Sequence, residues 1–135
     1  MKTLELTVRT GGRRGLSDIT GECARFVAGE GDGLLSVFVP HATAGVVVVE
    51  TGAGSDDDLV DALDRLLPRD ERAYRHRHGS PGHGADHVLP LLASPSLTVP
   101  VVDGVLALGT WQSICLLDAN ADNPTRTVRL SFLAG

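Results

Sequence analysis

The chain is poor in three things: cysteine, long apolar runs and excess positive charge. Its two cysteines, Cys23 and Cys115, are far apart and sit among apolar residues, so they read as buried free thiols and not as a disulfide framework. No apolar stretch approaches the roughly 20 residues that a membrane-spanning helix needs, which excludes a membrane partner of that kind. The opening MKTLELTVRT alternates apolar and polar residues instead of following a basic region with an apolar one, so it does not read as a signal peptide. A reducing, cytoplasmic location is the expectation. The formal net charge of −5 argues against a nucleic-acid surface, which needs basic side chains to neutralise phosphates. There is no GxxxxGK nucleotide loop, no CxxC pair and no GxSxG elbow.

What remains is enough for one core. With 135 residues, 42% hydrophobic and 21% charged, residues 1–135 are expected to form a single domain. Leu4, Leu6 and Val8 alternate with polar neighbours, the period of a half-buried strand, which Gly11, Gly12 and Gly15 then break. Cys23, Phe26 and Val27 have helical spacing, with Thr20 as N-cap and Ile19 in the staple position. Residues 34–39 and 45–50 read as strands, joined through Pro40-His41-Ala42-Thr43-Ala44.

Ser55 and three aspartates precede the stripe Leu59, Ala62, Leu63, Leu66, Leu67, a helix whose acids suit its N-terminal dipole and which ends at Pro68. Capping explains the aspartate run without a metal. Residues 68–82 form a long polar loop, and Arg69, Arg72, Arg75 and Arg77 make it either a solvated surface or a rim that attracts an anion. A short helix over 83–93 is complicated by Pro90. Residues 97–102 and 105–108 flank Asp103-Gly104 as a hairpin, and 111–117 and 127–132 supply the last strands. The fold class is α+β: a small β-sandwich of mainly antiparallel strands with two to three packed helices.

Three of the five histidines stand out as metal ligands. His83 and His87 are spaced to share one helical face, and His41 lies at a strand-to-strand turn that can approach them. The spacing also suits plain surface histidines. Trp111 and Gln112, placed on a strand, point to opposite faces, so that one packs while the other presents an amide to a ligand.

The segments VFVPHATAG (37–45), Glu50, His87, PSLTVPV (95–101) and Gly109-Thr110-Trp111-Gln112 resemble, in order and spacing, the YjbQ-like family over nearly the whole chain. That resemblance implies an α+β protomer that assembles as a homotrimer, with histidine-lined clefts between protomers. It also implies a secondary thiamine-phosphate synthase activity, a transferase joining a pyrimidine diphosphate to a thiazole phosphate. On the family's pattern His41, Glu50, His87 and Gln112 take the catalytic positions, and Thr43, Thr110 and Trp111 contact substrate. On the spacing above, His41, His83 and His87 are the candidate ligands of a divalent metal, zinc or magnesium, and the resemblance implies a phosphorylated small molecule as partner. His83 stands where relatives carry asparagine or aspartate. The chain departs from the family at Val49, where asparagine is usual, and at Gly52-Ala53-Gly54-Ser55, where an Asp-Pro pair is usual. The register to Asp58 is one residue shorter. A lost amide and a lost carboxylate imply a retuned site. A metal- or metabolite-binding trimer without turnover, or a metal-dependent hydrolase, are the alternatives.

Overall fold

A computed structural model describes all residues, Met1–Gly135. In chain order the elements are β1 (Lys2–Arg9), β2 (Gly15–Asp18), α1 (Thr20–Val27), β3 (Gly33–Phe38), β4 (Ala44–Val49), α2 (Ser55–Leu66), α3 (His83–Val88), β5 (Ser96–Val102), β6 (Val105–Leu106), β7 (Ser113–Asp118) and β8 (Thr125–Ala134). Short 3-10 turns lie at Glu71–Ala73 and Leu89–Leu91. All strand pairs are antiparallel. A five-stranded sheet runs β1-β8-β3-β5-β6, and a three-stranded sheet runs β2-β7-β4.

Period-2 alternation decides which side chains meet between the sheets. On β8, Val128, Leu130 and Phe132 are buried while Thr125 and Arg129 face out. Leu35 and Val37 of β3 and Val99 and Val101 of β5 join them, opposite Val46, Ile114 and Leu116 of the smaller sheet. Cys23, Phe26 and Val27 of α1 close this core of 16 buried residues. Each fully buried leucine there contributes roughly 1.5–3 kcal/mol. A second cluster, Leu63, Leu89, Ala93 and Ala119, covers the other face of the smaller sheet, against Val47 and Leu117. Gly45 permits that covering, because a Cβ there would overlap the Ala93 carbonyl. The Val46 N–H donates to Ser94 O at 2.8 Å and locks the contact. No helix is long and apolar enough to cross a membrane.

The structure corrects several local readings. β1 ends at Arg9, ahead of the glycines, but Gly15 also opens a strand the local pattern did not show, β2, because pairing of Gly15–Asp18 with β7 outweighs the local glycine signal. Thr20 is the first helical residue of α1, not its cap. The Asp18 carboxylate accepts both the Thr20 N–H and the Thr20 hydroxyl, which in turn accepts from the Ile114 N–H. Gly54, left-handed at φ 89, precedes α2, so Ser55 is also inside the helix. The helix at His83 stops at Val88, where Pro90 turns the chain into the 3-10 turn. β6 is only two residues long, and β7 starts at Ser113, which leaves Trp111 and Gln112 in the turn before it. Both thiols are buried and unpaired, and burial pushes each up to about 12, so neither supplies a thiolate nucleophile.

Candidate functional site

The residues between α2 and α3 form a strap that crosses α3. Arg69, at its start, makes a two-point ion pair to Asp86 of α3, whose side chain is only 1% exposed. The Tyr74 hydroxyl donates to Pro68 O at 2.8 Å, and a Cβ on Gly84 would meet Tyr74 Cβ, so the ring lies directly on the helix. Tyr74 is extended (φ −128, ψ 151), and the chain beyond it carries His76 and His78 back over α3. Gly79 is left-handed at φ 81, and a Cβ there would come within 2.7 Å of the His83 ring. The strap therefore passes His83 at a distance that only glycine allows.

This path gathers four imidazoles. His76, His78, His83 and His87 each offer a ring nitrogen, and these atoms lie within 4.8 Å of one another. His83 and His87 share one face of α3, with Nε2 to Nε2 at 2.7 Å. Ring centroids are 4.0 Å apart for His76 and His78 and 4.3 Å apart for His76 and His87. Loss of hydration, then the charges of the other histidines, hold His76 and His87 below the usual imidazole range. For these two rings that favours the neutral form, which is the form that ligates a metal. A cavity of about 140 Å³ opens beside the cluster, lined among others by Glu71, Tyr74, Arg77 and Ser80.

The α3 pair is where the helical spacing placed it. His76 and His78 are the residues that sequence reasoning missed. Their signal is the two-residue spacing, which on extended backbone points both side chains to one side. The arginines of residues 69–78, which fit either a solvated surface or an anion-attracting rim, are largely engaged within the fold. Arg69 pairs with Asp86, Arg72 pairs with Asp70 at 2.9 Å, and Arg77 donates to the Tyr74 carbonyl.

The other expected site residues lie outside the cluster. Neither His41 nor Glu50 belongs to it. His41 Nε2 accepts the Thr127 N–H at 2.9 Å, which uses one ring nitrogen and leaves the proton on Nδ1. Burial, then the Arg126 charge, lowers its pKa. Within this chain, then, His41 does not join His83 and His87 around one point. Thr43 is 6% exposed, and its hydroxyl accepts from Arg126 Nη2 at 2.9 Å, so that hydroxyl serves an internal ion pair between Arg126 and Asp118. Glu50 is exposed just past β4. Gln112 does not project from a strand; its Oε1 accepts the Gly109 N–H at 2.8 Å and closes the turn that displays Thr110 and Trp111. Trp111 is 73% exposed, opposite to the buried indole that a strand position allowed.

Comparison with known proteins agrees with this architecture. Residues 4–135 match the family described as UPF0047 protein YjbQ-like. A UPF0047 protein of Mycobacterium tuberculosis is 62% identical over 135 residues, covering 100% of both chains. One from Archaeoglobus fulgidus is 34% identical over 125 residues, 93% of this chain and 97% of that protein. The crystal structure of a hypothetical protein from Aeropyrum pernix superposes with a TM-score of 0.88 at 33% identity, covering 100% of both chains. An uncharacterised conserved protein of Clostridium acetobutylicum gives a TM-score of 0.82 at 25% identity, over 96% of this chain and 99% of that one. The chain belongs to the YjbQ-like UPF0047 family.

Proposed function

We propose that this chain is a metal-dependent YjbQ-like protein in which His76, His78, His83 and His87 hold a divalent transition metal and present it to a phosphorylated small molecule. The observation that carries this reading is the convergence of four imidazole donors with no carboxylate among them. Such a set suits zinc and its neighbours, whereas magnesium demands oxygen ligands, so zinc is the better of the two ions expected from the sequence. The α3 pair sits on a helix pinned by Arg69 and Asp86, while His76 and His78 ride on the exposed strap. The helical pair would hold the ion rigidly, and His76 and His78 would complete its ligand set from the strap.

The reaction we assign is transfer of the thiamine-phosphate synthase type. A thiazole nitrogen forms a C–N bond to the pyrimidinylmethyl carbon as the C–O bond to diphosphate breaks. A zinc ion held by His76, His78, His83 and His87 would supply Lewis-acid stabilisation to the leaving diphosphate. His41, holding its proton on Nδ1, acts as a hydrogen-bond donor and not as a ligand. Glu50, Gln112, Thr110 and Trp111 are exposed and are not members of the four-histidine cluster. We assign them to a cleft completed by a second protomer of a homotrimer, with Trp111 as an aromatic platform for a ring. The exposure of Leu34, Leu133, Val102 and Val105 supports assembly of this kind. Size-exclusion with light scattering is expected to report three times the 14.1 kDa chain mass. A monomer would remove the shared cleft.

The test of the activity is diphosphate release. Zinc-loaded protein given a pyrimidinylmethyl diphosphate and a thiazole phosphate is expected to release diphosphate, and chelation is expected to stop it. A second reading has one specific observation in its favour: four protein ligands fill a tetrahedral zinc, the mark of closed, non-catalytic sites. Zinc uptake with no diphosphate release would favour that reading.

A further inference from the structure

β1 is an open sheet edge. It stands first in the order β1-β8-β3-β5-β6 and pairs with β8 alone, in an unbroken register from Lys2 opposite Phe132 to Arg9 opposite Thr125. The Thr10 N–H donates to Pro124 O at 2.9 Å, and on the far side of β8 the Gly135 N–H donates to Asp32 O at 3.0 Å. Backbone groups alternate sides along a strand, so both bonds set the same parity. Lys2, Leu4, Leu6 and Val8 bond to β8, and the N–H and C=O groups of Thr3, Glu5, Thr7 and Arg9 point away from it. The other edges are short or covered: β2 has four residues, β6 has two, and the Val46 N–H of β4 is taken by Ser94 O. Proline, a bulge or free lysines blunt an edge of this length in most proteins. β1 has no proline and no bulge, and its one lysine, Lys2, sits at the strand end, tied to Phe26 O at 2.8 Å and to Glu30 at 2.6 Å.

We infer that β1 docks the β1 strand of a second copy of this chain, antiparallel about a two-fold axis at Thr7, so that the two five-stranded sheets run on as one. Charge selects that register. With Thr7 opposite Thr7, Glu5 of each copy faces Arg9 of the other, and Leu6 faces Val8 on the core side. Centring on Glu5 would set two carboxylates against each other, and centring on Leu6 would set Glu5 against Thr7 and Arg9 against Thr3. Opposite charges and threonine pairs stabilise directly facing positions, whereas like charges destabilise them. Glu5 already meets Arg129 at 3.0 Å on its β8 side, so the contact extends an alternating ladder of Arg129, Glu5 and Arg9. The core side of the edge is also open: Leu4 is 44% exposed, and a cavity of about 370 Å³ lies beside it against Leu6 and Phe26. Residues 5–9 lie opposite 125–129, at the other end of β8 from Leu133, so this contact is separate from the surface assigned to the homotrimer. It doubles whatever mass that surface gives.

The test is the mass of the untagged full chain by sedimentation equilibrium, from micromolar to millimolar concentration, with circular dichroism to verify the fold of each variant. The wild-type mass is expected to double as concentration rises, with amide exchange at Glu5, Thr7 and Arg9 slowing in step. Thr7→Pro removes an outward N–H that β8 does not use, at a position where an edge strand tolerates proline. It is expected to keep its fold and to hold the dilute-solution mass at every concentration. Glu5→Arg and Arg9→Glu each set like charges opposite one another in a self-pair, and each alone is expected to lose the doubling. Mixed in equal amounts, the two variants restore both opposite-charge pairs and are expected to regain it. A wild-type mass that does not change with concentration would overturn the proposal. So would a doubling that survives Thr7→Pro, or folded charge variants whose mixture fails to associate where the wild type does.

Discussion

Alanine at His83 or at His87 is expected to abolish near-stoichiometric zinc, whereas His41→Ala is expected to keep it. The two α3 histidines face each other at 2.7 Å from adjacent turns of one helix, so removing either takes away half of the rigid part of the site. The loss should exceed the roughly 10–100-fold that follows from deleting an outer hydrogen bond. His41 instead gives its Nε2 to the Thr127 N–H, and its ring lies outside the group of four. Competition titration with a zinc chelator reads all three variants. Loss of zinc in His41→Ala with the fold intact would place His41 among the ligands and contradict the present assignment.

The second large effect is on stability. Arg126 and Asp118 form a buried ion pair, 4% and 1% exposed, with bonds of 2.7 and 2.8 Å and the Thr43 hydroxyl as a third partner. Asp118→Ala leaves the guanidinium buried with only that hydroxyl to receive it. Breaking such a pair from one side costs about 3–5 kcal/mol, a large share of the roughly 5–15 kcal/mol that holds a domain folded. The double variant Asp118→Leu with Arg126→Leu removes both charges and is expected to recover much of that loss. Urea unfolding midpoints measure both. A loss below about 1 kcal/mol in the single variant would show that water reaches the pair.

Much of the framework is legible in the residues because it follows local periodicity. The alternation on β1 and β8, the leucine stripe of α2 and the turn at Asp103-Gly104 all carry their structure within a few positions. What was not legible depends on partners distant in sequence. β2 exists because Leu16 pairs with Leu117, across a gap that no local pattern spans. Trp111 and Gln112 read as strand residues because apolar sequence follows them, yet the Gln112 amide folds back on the Gly109 N–H and holds a turn.

The site divides in the same way. His83 and His87 could be paired from helical spacing alone. His76 and His78 reach them only because Arg69 closes on Asp86 across 17 positions and because Gly79 and Gly84 let the strap lie against α3. Read as sequence, the strap's arginines fit either a solvated surface or a rim for anions; in the fold, three of the four are bound to acids or a carbonyl. The turn position of His41 suggested a metal ligand; in the fold its Nε2 accepts the Thr127 N–H.

The most direct test of the four-histidine centre is elemental analysis of the untagged protein, purified without chelator and then resupplied with equimolar zinc and magnesium. The account predicts close to one zinc per chain, no retained magnesium, and loss of the zinc in a variant with His83 and His87 both replaced by alanine. A wild-type protein that retains no transition metal after resupply, or one that holds zinc equally well without those two histidines, would contradict it.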